Sequence, residues 1–141
     1  MANTVLQSTQ FDGGRKLINT CQIHCGTGGE ASNVTLVDVS TLNSNAQGAA
    51  CLSVSLNKIW YTIAGATVAP GILKWQITNA TTGVKFLTLA YDNMLDFSTI
   101  GGLVNNQLAV AGAEGDVIFH LSTQTTQHSE YTVWCEWIKN Y

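Results

Sequence analysis

The sequence predicts an all-β fold, an antiparallel β-sandwich of eight or nine strands with a jelly-roll-like topology. Three observations support this prediction. The 141 residues contain one proline, apolar and polar residues alternate along most segments, and short turn-rich breaks separate those segments. Such short, evenly spaced strands are typical of a sandwich, and no repeat or linker indicates a second domain. We expect an extended N-terminal arm over residues 1–14 and a single β-sandwich domain over residues 15–141.

The first half of the chain contains the arm and three predicted strands. The polar arm ends at the turn sequence Asp12-Gly13-Gly14. The first strand carries Cys21, Ile23 and Cys25 on one face and ends at the glycine-rich loop 26–29. The second strand carries Val34 and Leu36. The long third strand changes phase near Asn57-Lys58, which indicates a bulge or a strand that passes between two packed sheets.

The second half contains five or six further strands. Lys74 and Gln76 alternate with Leu73, Trp75 and Ile77, which predicts a half-buried strand followed by a hairpin. A short strand over residues 95–100 and a loop with a short strand over residues 103–115 come next. The remaining strands are predicted over residues 117–121 and 131–139.

The last strand is apolar on both faces. Trp134 and Ile138 occupy the phase opposite to a run of inward-facing residues, Tyr131, Val133, Cys135 and Trp137. A half-exposed antiparallel strand has one polar face, so the face of Trp134 and Ile138 requires a cover. Another subunit and the chain's own loops or arm remain alternatives, and Trp134 and Ile138 are our candidates for a subunit interface.

The charge of the chain limits its partners. Charged residues make up 11% of the sequence, the net charge is −3, and the six basic residues are scattered. Because binding to nucleic acid requires clustered Lys and Arg, we expect no direct nucleic-acid contact. No segment has the length and apolarity of a membrane span, and the first residues do not resemble a signal sequence. We therefore expect no membrane contact and a protein made in the cytoplasm.

The residues that could perform chemistry do not form a recognisable motif. His24, His120 and His128 are far apart in sequence, and Cys21 and Cys25 would lie about 13 Å apart on one strand, too far for a disulfide. Asp92 and Asp96 are the closest carboxylate pair, but turn formation explains Asp92-Asn93 better than hydrolysis does. We expect buried free thiols, no cofactor, no metal and no enzymatic activity.

Several short segments together resemble a family of small tailed-phage virion proteins. The resemblance runs in order along nearly the whole chain: Met1-Ala2-Asn3-Thr4, Asp12-Gly13-x-Arg15, Asp38-Val39-Ser40-x-Leu42, Lys58-Ile59-Trp60-Tyr61, Gly101-Gly102-Leu103-x-Asn105-Asn106, Gly115-Asp116-Val117-Ile118, Leu121-Ser122-Thr123 and Tyr131-Thr132-Val133.

The resemblance implies a cement or decoration protein that binds the major capsid protein lattice on the outer surface of the virion and stabilises the head. Such proteins often bind as homotrimers. On this basis Phe11, Arg15 and Lys16 are candidates for contacts with the capsid, with Arg15 pairing a carboxylate of the shell. Two alternatives remain: a neck, tail or fibre-tip virion protein, and a carbohydrate-binding module for host attachment, which an exposed Trp60 or Trp75 would favour.

Overall fold

The computed structural model describes residues 4–25, 32–64, 70–79, 82–90, 92–109, 112–121 and 129–141. In these ranges the chain forms nine strands, two short 3-10 helices and no α-helix. The strands are β1 (Thr4–Asp12), β2 (Lys16–His24), β3 (Ser32–Val37), β4 (Ser53–Ala64), β5 (Gly71–Asn79), β6 (Thr82–Leu89), β7 (Asn93–Asp96), β8 (Val117–Leu121) and β9 (Glu130–Asn140). The 3-10 helices are Val39–Thr41 and Ser98–Ile100. The prediction of an all-β fold with eight or nine strands is confirmed.

The strands form two antiparallel sheets. The five-stranded sheet has the order β1-β2-β9-β4-β7, and the four-stranded sheet has the order β3-β8-β5-β6. β9 lies between β2 and β4 and pairs with each of them along almost its whole length. The two sheets share one hydrophobic core, which gives the predicted sandwich arrangement.

The core forms because apolar residues alternate along the strands that face it. The side chains of Tyr131, Val133, Cys135 and Trp137 on β9 are all at most 2% exposed. The Phe119 and Tyr131 rings meet edge to face with their centroids 6.3 Å apart, which joins β8 of one sheet to β9 of the other. The buried indole N–H of Trp137 donates a hydrogen bond to Asn19 Oδ1 at 2.9 Å, so its polar group is satisfied.

The phase change in β4 arises from a bulge. The register of β4 against β9 shifts between Leu56 and Lys58, as the sequence predicts. Leu56, which lies opposite Trp137 of β9, also exchanges two backbone hydrogen bonds with Leu103, at 3.0 and 2.8 Å. This isolated bridge is the only strand pairing in the described part of residues 103–115, where a short strand was predicted.

β1 corrects the prediction of an extended arm. Residues 4–12 pair with β2 from Thr4↔His24 to Asp12↔Leu17, with a bulge between Thr9 and Phe11. They therefore form an edge strand of the five-stranded sheet. The alternation that marks other strands is weak here because nearly every residue of β1 is exposed. A strand with no buried face gives no apolar period for the sequence to show.

A buried ammonium group ties this edge to the rest of the fold. The Lys139 side chain is 0% exposed, and its Nζ lies 2.6 Å from Asp12 Oδ1. It also donates to the backbone oxygens of Gly13 at 2.7 Å and Asn43 at 2.6 Å. Burial alone would lower the pKa of Lys139, but the hydrogen bond and charge of Asp12 raise it above its ordinary value. Lys139 is therefore held charged, with three acceptors for its three N–H groups.

Replacing Lys139 with Met is expected to lower the free energy of unfolding by about 3–5 kcal/mol, because Asp12 would lose its buried partner. The double variant Asp12→Asn, Lys139→Met is expected to lose less than the sum of the two single changes. Urea unfolding followed by tryptophan fluorescence measures both effects. Lys85→Met, on exposed β6, is the control and should stay within about 0.5 kcal/mol of the wild type. A loss as small as the control's for Lys139→Met would contradict this account.

Candidate binding surfaces on the five-stranded sheet

The outer face of the five-stranded sheet carries several large apolar side chains. Leu6, Phe11, Trp60 and Met94 are between 52% and 63% exposed. The solvent face of an antiparallel sheet is normally polar, and apolar side chains that gather on one surface mark interaction sites. This face is therefore the candidate functional surface.

The strand register arranges these side chains in rows. In one row Met94 lies opposite Trp60, Trp60 lies opposite Trp134, and Trp134 lies opposite Thr20. Directly opposed residues have Cβ atoms about 4.5–5.5 Å apart. The row therefore crosses four adjacent strands with two indoles at its centre.

The first surface is a groove of about 680 Å³ at the Gly13–Lys16 end of the sheet, which we call the turn groove. Its lining residues are Phe11, Gly13, Gly14, Arg15, Lys16, Asn45, Ala46, Gln47, Ile138, Lys139 and Tyr141. The groove thus brings together all three predicted capsid contacts and Ile138, one of the two predicted subunit contacts. Sequence reasoning had assigned them to two separate surfaces.

The turn beneath this groove is fixed on several sides. Gly13 N–H donates to the Lys16 carbonyl at 2.9 Å, and Lys139 N–H donates to the Arg15 carbonyl at 2.8 Å. The Tyr141 hydroxyl donates to the Gly14 carbonyl. A Cβ atom on Gly13 would lie 2.7 Å from the Phe11 ring, so glycine allows this ring to pack closely over the turn. The backbone that carries Phe11 and Arg15 is therefore held rigidly.

The cations of the turn groove differ in their partners. Lys16 Nζ lies 3.3 Å from Glu136 Oε1. Arg15 is exposed and forms no salt bridge with a carboxylate in the described part of the chain. Its guanidinium is therefore available for an external anion.

The second surface is a smaller groove of about 310 Å³ in the middle of the same face, which we call the tryptophan groove. It is lined by Gln10, Thr20, Gln22, Trp60, Tyr61, Thr62, Thr132 and Trp134. None of these residues carries a charge at neutral pH. Trp134, the other predicted subunit contact, is half-buried here and is separated from Ile138 by a full row of residues.

Glu136 occupies the row between the two grooves. Its side chain is 10% exposed and accepts a hydrogen bond of 2.6 Å from Asn57 Nδ2. Burial opposes ionisation of this carboxyl, but the hydrogen bonds from Asn57 and Lys16 and the positive charges of Lys16 and Lys58 lower its pKa below the usual value. A paired charge therefore divides the two surfaces.

The residues considered for catalysis are occupied in structural contacts. Asp92 Oδ1 accepts a hydrogen bond from Ile63 N–H of β4 at 3.0 Å, which is a long-range contact, and Asp96 Oδ1 accepts one from Ser98 N–H two residues further on at 2.8 Å. The Ser98 hydrogen bonds lower the pKa of Asp96. His24 contacts Glu130 at 3.1 Å, and His120 contacts Asn33 at 2.8 Å.

The four cysteines are buried and free, which confirms their predicted state. Burial raises the pKa of Cys21 to about 11 and that of Cys135 well above its usual value, so these thiols stay protonated. Within the described residues, no group of three or more His, Cys, Asp and Glu side chains is placed to hold a metal ion. His128 and the glycine-rich loop 26–29 lie outside the described residues.

Trp75 is not a surface residue. It is 2% exposed, and its ring stacks on Phe86 with a centroid distance of 3.7 Å and an angle of 8° between the planes. The suggestion that Trp75 could line a groove is therefore wrong, and Trp60 alone of that pair is exposed. The polar residues of the tryptophan groove were missed. One sequence pattern could have identified them: residues 60 and 62 share a phase on one strand, and residues 132 and 134 share a phase on another.

Comparisons with known proteins assign no function to this surface, so its function is inferred from its own residues. No protein-family model, curated protein or solved structure matches the chain significantly. Among the residues that the structure describes, no helix is long and apolar enough to cross a membrane.

Replacing Glu136 with Gln is expected to lower the free energy of unfolding by about 1.5–3 kcal/mol at neutral pH, the range for hydrogen bonds to a charged group. Because the folded-state pKa lies below the ordinary value of 4.5, the stabilisation by ionised Glu136 is fully present above pH 4.5. It is lost as the pH falls through the folded-state pKa.

Urea unfolding of both proteins across this acidic range checks the prediction. The difference between wild type and Glu136→Gln should shrink as the pH falls below 4.5. A difference that stays constant would mean that the carboxylate charge contributes nothing to stability.

Proposed function

We propose that the chain is a non-catalytic structural protein of a tailed-phage particle. In this proposal it is a cement or decoration protein that binds the major capsid protein on the outer surface of the head. The turn groove carries the proposal, because it gathers Phe11, Arg15, Lys16 and Ile138 over a rigid turn. The resemblance of the sequence to small virion proteins supports the same conclusion.

The chemistry of the turn groove suits an acidic segment of a shell protein. Phe11 is 52% exposed and offers apolar area that a partner would bury. Arg15 supplies a planar guanidinium that can bind a carboxylate through two hydrogen bonds. A protein that binds this way stabilises the assembled lattice by mass action, since it binds the lattice and not dispersed subunits. No reactive group is needed for this role.

The strand order supports a jelly roll with β1 as an added edge strand. The sheets β2-β9-β4-β7 and β3-β8-β5-β6 follow the pattern expected when two four-stranded sheets are connected by Greek keys. Jelly rolls occur in viral capsid domains and in lectins. This fold-level likeness is compatible with a virion role, whereas the argument for function depends on the surface residues.

The edge of β1 supports self-association, which we propose occurs as a homotrimer. β1 has nine residues, and its only charged side chain is Asp12, at its end. The opposite edge strand, β7, has four residues and ends in Asp96. In the other sheet the edge strand β6 carries Lys85, and the edge strand β3 is uncharged but has six residues. Short or charged edges resist pairing with other chains, whereas a long uncharged edge favours it. The β1 edge is therefore our candidate for contact between copies, in place of the surface of Trp134 and Ile138.

Arg15→Glu is expected to weaken binding to heads assembled from the cognate capsid protein by about tenfold or more, because it replaces an attraction with a repulsion. Co-sedimentation with undecorated heads measures the affinity. Lys85→Glu makes the same charge change on the other sheet and should bind like the wild type. If the protein is absent from heads, or present in the few copies of a neck, tail or fibre-tip part, the cement assignment is wrong.

Gln7→Lys is expected to shift the protein from trimer to monomer, because it places a charge on each copy at the β1 edge. Light scattering after size exclusion measures the mass against the 15.1 kDa of one chain. Thr88→Lys, on β6, is the matched control and should leave the mass unchanged. A wild-type protein that is monomeric at high concentration would refute self-association, and an unaffected Gln7→Lys trimer would exclude this edge.

A further inference from the structure

We propose that the tryptophan groove is a binding site for a neutral saccharide, such as the terminal sugars of an uncharged surface glycan. This site is distinct from the turn groove, and the inference does not depend on the virion role. Three observations support the inference: the pair of opposed indoles, the hydroxyl and amide groups around them, and the absence of charge among the lining residues.

The two indoles provide the apolar part of the site. Trp60 on β4 is directly opposite Trp134 on β9, and Trp60 is 56% exposed although it has apolar neighbours. A pyranose ring presents a face of C–H groups that can lie against an indole, while its hydroxyls point outward. Trp offers a large rigid apolar area with one N–H donor, which suits a ligand that is apolar on its faces and polar at its edge.

The polar part of the site consists of groups that can pair with sugar hydroxyls. Thr62 lies opposite Thr132, and Thr132 lies opposite Gln22, so two hydroxyls and an amide form a row beside the indoles. None of these three side chains forms a hydrogen bond with another residue in the described ranges. Hydroxyl and amide groups both donate and accept, as a ligand with many hydroxyls requires.

The absence of charged side chains in the groove favours neutral ligands. Its eight lining residues include no Asp, Glu, Lys, Arg or His. In the adjacent row Lys58 lies opposite both Glu136 and Asp96, and Glu136 is also paired with Lys16 and Asn57. A sialylated, sulfated or phosphorylated glycan would find no cation in this groove to bind its anionic group.

A saccharide fits the groove better than a second copy of the chain. The centre of a protein interface is enriched in aromatic residues, Met and Arg, whereas five of the eight lining residues here are Thr or Gln. The volume of about 310 Å³ lies at the lower end of the range of about 300–1,000 Å³ for small-molecule sites. The site also rests on adjacent, fully paired strands, so little ordering is required on binding.

The test is a glycan array with the full-length protein, followed by titration calorimetry with the neutral oligosaccharide that binds best. Trp60→Ala is expected to lower the affinity at least tenfold, because it removes the exposed platform. Gln22→Leu and Thr132→Val, which keep the side-chain size, are expected to weaken binding several-fold. Met94→Ala is the matched control: it removes an exposed apolar side chain beside Trp60 but outside the groove, and it should bind like the wild type.

Three outcomes would overturn the inference. The first is no binding of any neutral glycan by a folded protein at millimolar concentrations. The second is selective binding of anionic glycans. The third is a Trp60→Ala variant whose glycan affinity equals that of the wild type but whose oligomeric mass differs. That result would assign the groove to contact between copies.

The two proposals can fail separately. Arg15→Glu should leave glycan affinity unchanged, and Trp60→Ala should leave binding to capsids unchanged. Circular dichroism of each variant shows whether it is folded. A glycan result with no capsid binding would therefore refute only the virion role.

Discussion

The buried ammonium group of Lys139 is the interaction on which the candidate surfaces depend. One charge holds three separate parts of the chain: the end of β1 through Asp12, the following turn through the Gly13 carbonyl, and the distant loop through the Asn43 carbonyl. Asp12 in turn accepts a hydrogen bond from Asn43 N–H at 2.9 Å. A buried charge is tolerated only with such complete pairing, so the geometry of the turn groove above it is tightly constrained.

The central position of β9 explains why one strand contributes to both grooves. Its inward residues complete the core, and its outward residues alternate with them. Trp134 therefore belongs to the tryptophan groove, Glu136 to the dividing row and Ile138 to the turn groove. The second apolar face of this strand is not covered by the other sheet. It is distributed between two surfaces of different chemistry.

Much of the fold could be predicted because strands that face the core show alternating apolar and polar residues in the sequence. The phase change of β4 indicates the bulge that the structure contains, and the alternation in β9 indicates its buried face. β1 was missed because a strand exposed on both faces has no such period. The grouping of Phe11 with Ile138 was missed because it depends on the pairing of β2 with β9. Likewise, the stacking of Trp75 on Phe86 depends on the pairing of β5 with β6, whose register shifts beside these residues. Alternation identifies strands and faces, but not which strands become neighbours.

The placement of the two grooves makes a shell contact and a glycan contact compatible. Ile138 and Trp134 are four residues apart on β9, about 13 Å at ~3.3 Å per residue. The turn groove lies where the chain turns between β1 and β2, at the end of the strands, whereas the tryptophan groove lies along the middle of the face. A partner that binds at the strand ends and reaches no further than Glu136 leaves Trp60 in solvent. The paired charge of Glu136 also disfavours extension of an apolar interface across it, since that would desolvate the ion pair. The row that separates the grooves is therefore a physical boundary between two binding chemistries on a single sheet.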